Sequence, residues 1–296
     1  MIKKHAIRQT GKISRNNKIL KTVSYLALFV VALAFMGCHF FPEGDIRRPP
    51  HYIGTKPPTA VKEVGDIVFS DGSAIPYTSS LTLTSEQSNS AIAIIFYKGT
   101  GLNSDNNGTA NTTTSRTLGV GLKHNKSGNI KWCITSADAC NVAITTIQCS
   151  VSGSAGALTF TGDKKGSDNL EQIEAFSGVD DTATASNYPA FYFCKNYKNQ
   201  TGSHVAGTSY ESGWYLPSVA ELYQIYANGK GTNKVFDIDD ASVLCYGDTF
   251  NTWEYFSSSQ WGSVNDEAFT IRFSNGSWND DSKDGIGFYV CAIREF

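Results

Sequence analysis

Basic residues are scarce once the first 37 positions are set aside. The chain has 296 residues, with 25 Lys and Arg against 27 Asp and Glu. Seven of the cations (Lys3, Lys4, Arg8, Lys12, Arg15, Lys18, Lys21) fall within the first 21 residues, where there is no acid. The remaining 259 residues keep 18 cations and all 27 acids, a net charge near −9. Such a chain is a poor partner for nucleic acid or anionic lipid, which need a basic face. Histidine is also rare, with four after residue 37, and there is no Cys-x-x-Cys. That composition argues against a zinc or thiol-redox centre. No Gly-x-Ser-x-Gly elbow, His-Glu-x-x-His or phosphate-binding loop is present, which argues against the common hydrolase and nucleotide chemistries. The longest apolar run, Thr22 to Met36, is about 15 residues, whereas an uncleaved membrane anchor needs roughly 20.

What is present begins with the order of the N-terminal pieces. A basic segment, a short apolar run ending in Phe35-Met36, and Gly37-Cys38 are followed by a polar stretch. A basic region, an apolar region and a small residue before the cut describe an export signal. With a cysteine just past the cut, the segment resembles the bacterial lipoprotein signal in the looser form found in spirochaetes. The resemblance implies that residues 1–37 are removed and that Cys38 carries palmitate-type acyl chains. Each buried methylene contributes about 0.8 kcal/mol, so two or three chains hold firmly where one is marginal. The expected location is outside the cytoplasm, at the outer membrane or cell surface, with the lipid bilayer as a partner. Residues 39–62 hold five of the eight prolines, and 38–62 reads as a lipidated, extended tether.

Strand and helix signals start near Gly65. Asp66 to Phe69 with Asp71-Gly72 reads as a strand and hairpin turn, and Thr84 with Gln87 as a capping box over a short helix. Ala91 to Tyr97 is a buried strand by its continuous apolar run, and Thr117 to His124 alternates as a second. A helix start is expected at Ser136. Ser150 to Gly166 is small and polar, with a short strand at Leu158 to Phe160. Helices are expected after Ser167-Asp168-Asn169 and after Asn187-Tyr188-Pro189, where proline in the first turn costs no hydrogen bond. Asp237, Asp239 and Asp240 read as a solvated helix start. Ser218 with Glu221 is a further capping box, ahead of Val219, Leu222, Tyr223 and Tyr226 at helical spacing. Glu221 is therefore read as a cap and not as a catalyst. These elements give an α+β class.

Gly213-Trp214-Tyr215-Leu216-Pro217-Ser218 with Glu221-Leu222 resembles the Trp-x-Leu-Pro-Thr/Ser-x-x-Glu-Leu signature of the Lcl C-terminal domain family, named for a bacterial collagen-like adhesin. Further pieces follow in the family's order: a helix carrying Cys194, the aromatic-Ser-Ser strand at Tyr255 to Ser259, Phe269 to Gly276, and a last strand around Cys291. The resemblance covers about 188–296, with 63–187 as a β-rich front part packed with it as one unit. It implies a C-type lectin-like mixed domain of twisted antiparallel strands and a few short helices. It also implies a disulfide between Cys194 and Cys291; from the sequence alone, the six cysteines after Cys38 allow 15 connectivities.

Trp278-Asn279-Asp280, 11 residues before Cys291, resembles the Trp-Asn-Asp of C-type lectins, which would make Asn279 and Asp280 calcium ligands that hold sugar hydroxyls. The competing reading is that they are turn residues after the Ser274-Asn275-Gly276-Ser277 hairpin turn. The companion Glu-Pro-Asn motif is missing. Trp253, Trp261 and Trp278 read either as core or as a sugar-stacking platform, with Trp261 expected to be the exposed one. The functional expectation is a non-enzymatic surface binding module, an adhesin for a glycan or host-matrix ligand. From Lys230 onward five cations face 11 acids, which favours a neutral glycan or protein over a sulfated one. Two alternatives compete: a structural or immune-facing surface protein without a small ligand, and an enzyme on the formylglycine-generating-enzyme fold. Against the latter, Cys291 lacks the close second cysteine that such enzymes use.

Overall fold

The computed structural model describes residues 51–104, 109, 112–176, 186–250, 252–262 and 265–296. The signal segment, Cys38 and the first half of the expected tether lie outside the described residues, as do parts of the loops at 99–115 and 262–266.

The strongest apolar run in the sequence becomes the centre of the molecule. Strand β3 (Ala91–Gly99) lies between β1 (Asp66–Phe69) and β4 (Arg116–Asn125) in a five-stranded antiparallel sheet. β2 (Ala74–Pro76) flanks β1, and the turn between them holds Gly72 at φ 82°, a conformation that glycine adopts without cost. The apolar run does not alternate because both faces of β3 are covered: Ile94 and Phe96 join one apolar cluster, Ala93 and Ile95 another. The outer neighbour of β4 is β10 (Val290–Glu295), so the front and C-terminal parts share one sheet.

Short helices cover this sheet. α1 (Ser85–Ser90) starts on the Thr84–Gln87 capping box. α2 (Asn169–Ala175) and α3 (Pro189–Lys195) start where the sequence predicts, the latter with Pro189 in its first turn. α4 (Val219–Gly229) carries the Ser218–Glu221 box and buries Val219, Leu222 and Ile225 completely. Each such side chain contributes about 1.5–3 kcal/mol when fully removed from water. α5 (Ile238–Leu244) is capped by Asp237, which accepts from the amides of Asp239 and Asp240 at 3.1 Å. Two smaller sheets complete the fold: the hairpin β5 (Cys149–Ser154) and β6 (Ala157–Gly162), and the antiparallel meander β7 (Glu254–Gln260), β8 (Glu267–Arg272) and β9 (Ser277–Ser282). The class is α+β.

Several expectations change. The tether does not extend to residue 62: the chain from Tyr52 to Phe296 forms one compact unit. Ile53 N donates to Asp71 (3.0 Å), Gly54 N to Ser73 Oγ (2.7 Å), and Lys56 bridges Ala74. The proline count hides this, because the amides that matter belong to the residues between prolines. Lys56 also pairs with Asp66, which is 1% exposed and needs a cation. The helix expected at Ser136 is only a 3-10 turn over Asp138–Asn141, and most of the polar stretch 150–166 is the β5–β6 hairpin.

Candidate functional site

The meander decides the fate of the predicted sugar site. Trp278, Asn279 and Asp280 are not turn residues; they form part of β9 and pair with Ile271, Thr270 and Phe269 of β8. Residues directly opposite in an antiparallel pair share a face, and successive residues alternate. Trp278 and Asp280 therefore stand with Phe269, Ile271 and Glu267, while Asn279 and Asp281 stand on the other side. The contacts agree: Trp278 packs on Phe269 at 5.5 Å, whereas Asn279 Nδ2 donates to Asp281 and Asp281 accepts from Thr270 Oγ1 at 2.9 Å. The calcium pair expected from the lectin resemblance is thus divided. Asn279 and Asp280 project their side chains to opposite faces of β9.

The two tryptophans do come together. Trp261, just past the end of β7, meets Trp278 edge to face with ring centroids 6.3 Å apart, and both are half-buried. The tryptophan that is exposed is Trp253, at 56%, leaning on Tyr289; this reverses the expectation for Trp261. Beside Trp278, Asp280 and Glu267 crowd each other. Burial and the Asp280 carboxylate push the Glu267 carboxyl above its usual range, and Glu267 Oε2 is a buried acceptor without a donor. The face thus combines aromatic surface with carboxylate acceptors.

A cleft of about 350 Å³ lies elsewhere, where α2, α3 and β10 meet. Phe191, Trp214 and Tyr215 wall it, with Lys195, Arg294 and Glu171 at its rim. Arg294 donates to Ser212 O and lies 5.0 Å over the Tyr210 ring, while its Nε is buried without an acceptor. Sequence reasoning missed this cleft, although Gly213 to Leu216 of the family-like motif line it.

Under the cleft runs a buried polar tie. Glu221, 0% exposed, accepts from Arg116 Nη1 (2.8 Å), Tyr215 Oη (3.0 Å), Ser218 N (2.9 Å) and Gly166 N (3.1 Å). Arg116 also reaches Leu102 O and Glu295. Burial opposes the guanidinium charge, and the Glu221 carboxylate outweighs it, holding the Arg116 pKa above its ordinary value. Gly166 is required by close approach: a Cβ there would stand 2.5 Å from Ser218 N and 2.7 Å from Leu216 O. Glu221 is therefore structural, saturated by its partners.

All six cysteines after Cys38 are free thiols. Cys194 and Cys291 are neighbours, with Cys194 Sγ donating to the Cys291 carbonyl at 3.4 Å, but the expected bond between them is not formed. Both are fully buried, and burial pushes both thiols up. Among the described residues, no three His, Cys, Asp or Glu side chains converge as a metal group.

No protein-family model and no curated protein matches this chain. Among solved structures the chain is similar to a fimbrial protein from Bacteroides ovatus ATCC 8483, with 14% identity and a TM-score of 0.51. The match covers 79% of this chain and 49% of the fimbrial one, so this chain spans about half the length of that structure. At this identity the likeness concerns the fold alone.

Proposed function

We propose that this chain is a non-enzymatic binding module, displayed at the cell surface by acyl chains on Cys38. Its C-terminal part is a C-type lectin-like region of the Lcl type that takes a neutral glycan of host matrix or cell surface. The observation that carries this reading is the meeting of Trp261 and Trp278 at 6.3 Å, with Asp280 and Glu267 on the same sheet face. Indole surface covers the apolar side of a pyranose, and carboxylate oxygens accept from its hydroxyls. The same carboxylates repel sulfated glycans. In this reading the contacts are made by the two indoles and by the Asp280 and Glu267 carboxylates. The fold-level similarity to a fimbrial protein supports a place among surface proteins.

A glycan array of neutral, sialylated and sulfated sugars, probed with and without EDTA, tests the proposal. Neutral sugars are expected to bind in both conditions. Trp278→Ala should weaken them roughly 2–10-fold, the worth of one aromatic contact. Silence on every sugar, or binding indifferent to Trp278→Ala and Trp261→Ala while the fold stays intact, refutes the glycan reading. Loss on Arg294→Ala instead would move the ligand to the cleft.

A further inference from the structure

The cleft between α2, α3 and β10 holds cations that the fold leaves uncompensated. The described residues include three arginines: Arg116, Arg272 and Arg294. Arg116 is tied to Glu221 and Glu295, and Arg272 pairs with Glu254. Arg294 differs: among the described residues it pairs with no acid, and its guanidinium donates to Ser212 O alone. Burial lowers its pKa, and the Tyr210 side chain offsets this in part. The head is nonetheless held in place. It lies 5.0 Å over the Tyr210 ring and 5.8 Å from the centre of the Phe296 ring, contacts that fix the direction of its donors. Gly213 flanks it without a side chain; a Cβ there would stand 3.5 Å from Nη1. Lys195, on the same rim, is exposed and 5.9 Å over the Tyr192 ring, and among the described residues it too pairs with no acid.

A guanidinium presents its N–H groups in a planar fork that matches the two oxygens of a carboxylate. Such charge-assisted bonds are roughly twice as strong as neutral ones. Apolar surface adjoins this head: Tyr215 and Leu170 are half-buried in the cleft, with Phe191 and Trp214 behind them. Glu171 stands on the rim as well, and Glu295 is already engaged by Arg116. These two carboxylates disfavour a ligand with a second anionic group. The volume of about 350 Å³ lies at the low end of the roughly 300–1,000 Å³ usual for ligand pockets, which suits a body of one ring or one residue.

We propose that the cleft binds a small monocarboxylate with an apolar or aromatic body, its carboxylate on Arg294 and Lys195 and its body against Tyr215 and Leu170. The site is separate from the Trp261–Trp278 face and independent of the glycan reading.

The probe is N-acetylphenylalanine, with its amide as the neutral counterpart, each titrated into the full chain in detergent by calorimetry against a detergent blank. The acid is expected to bind with a Kd on the order of 0.1–1 mM. The amide, which keeps the shape and loses the charge, should bind at least about tenfold more weakly. Arg294→Gln should weaken the acid by about tenfold and leave the amide unchanged. Lys195→Gln, at an exposed position, should weaken the acid by about 1.5–5-fold. If the Arg294 variant is insoluble, Lys195→Gln and the comparison of acid with amide decide the matter. Trp278→Ala should not alter the affinity for the acid. Absence of acid binding up to about 10 mM, tenfold above the weakest expected Kd, overturns the proposal. Equal binding of acid and amide overturns it too, as does an acid affinity that neither substitution changes. Loss of acid binding on Trp278→Ala would place the acid on the glycan face and likewise overturn it.

Discussion

Replacing Arg116 by methionine isolates the worth of the buried tie. The side chain is 2% exposed and its partner Glu221 is 0% exposed, so water does not step in when the guanidinium is removed. Glu221 keeps three donors, from Tyr215, Ser218 and Gly166, and the loss is therefore one of charge compensation more than of hydrogen bonds. Removing one member of a buried pair costs about 3–5 kcal/mol. At roughly 2–4 °C per kcal/mol for a domain of this size, the melting temperature should fall by about 6–20 °C. Glu221→Gln leaves Arg116 with Glu295, whose side chain is 48% exposed, a weak substitute. The double variant Arg116→Met with Glu221→Gln should cost less than the sum of the two single changes, with a coupling of about 1–3 kcal/mol. Urea denaturation of the four proteins at pH 7 measures this cycle. If Arg116→Met costs under about 1 kcal/mol, or the two changes simply add, the tie is not what holds α4 to β4.

His124 and Gly166 supply two further tests. His124 is buried between Phe250 and Tyr255, and burial lowers its pKa to about 3. Between that value and the ordinary 6.5 the unfolded chain binds more protons, so stability from this group is lost as pH falls from 6.5. The slope approaches 1.4 kcal/mol per pH unit. Urea midpoints at pH 4 and 7 should differ less in His124→Phe than in the parent; equal differences reject the assignment. Gly166→Ala drives a methyl into the backbone of Leu216 and Ser218 and should destabilise by about 1–3 kcal/mol. A neutral outcome in the same assay would mean that the 166–168 turn shifts freely.

Local chemistry made the helices legible. Thr84 with Gln87, Ser218 with Glu221, and Pro189 each declare a start through the orphan amides of a first turn, and each stands where the sequence reading puts it. The apolar run of β3 was readable for the same local reason. Partnerships between distant segments were not, because neither composition nor spacing states that β10 lies beside β4. β9 escaped because Asn279, Asp280 and Asp281 are poor strand formers that a turn would also use; its register, and hence the separation of Asn279 from Asp280, exists only once β8 is in place. The cleft shares that property. Its side chains come from segments that fold next to one another but are spread along the sequence.

The pairing of β10 with β4 has a consequence for how the protein is made. Strand 290–295 closes a sheet whose other members lie between residues 66 and 125, so the edge of β4 has no cover until the last of these segments has emerged. A chain whose last strand is not yet available thus carries an incomplete sheet with β4 open to other strands, the condition that invites wrong partners. Late closure gives the folding of this sheet a defined final step, the docking of residues 290–295 on β4.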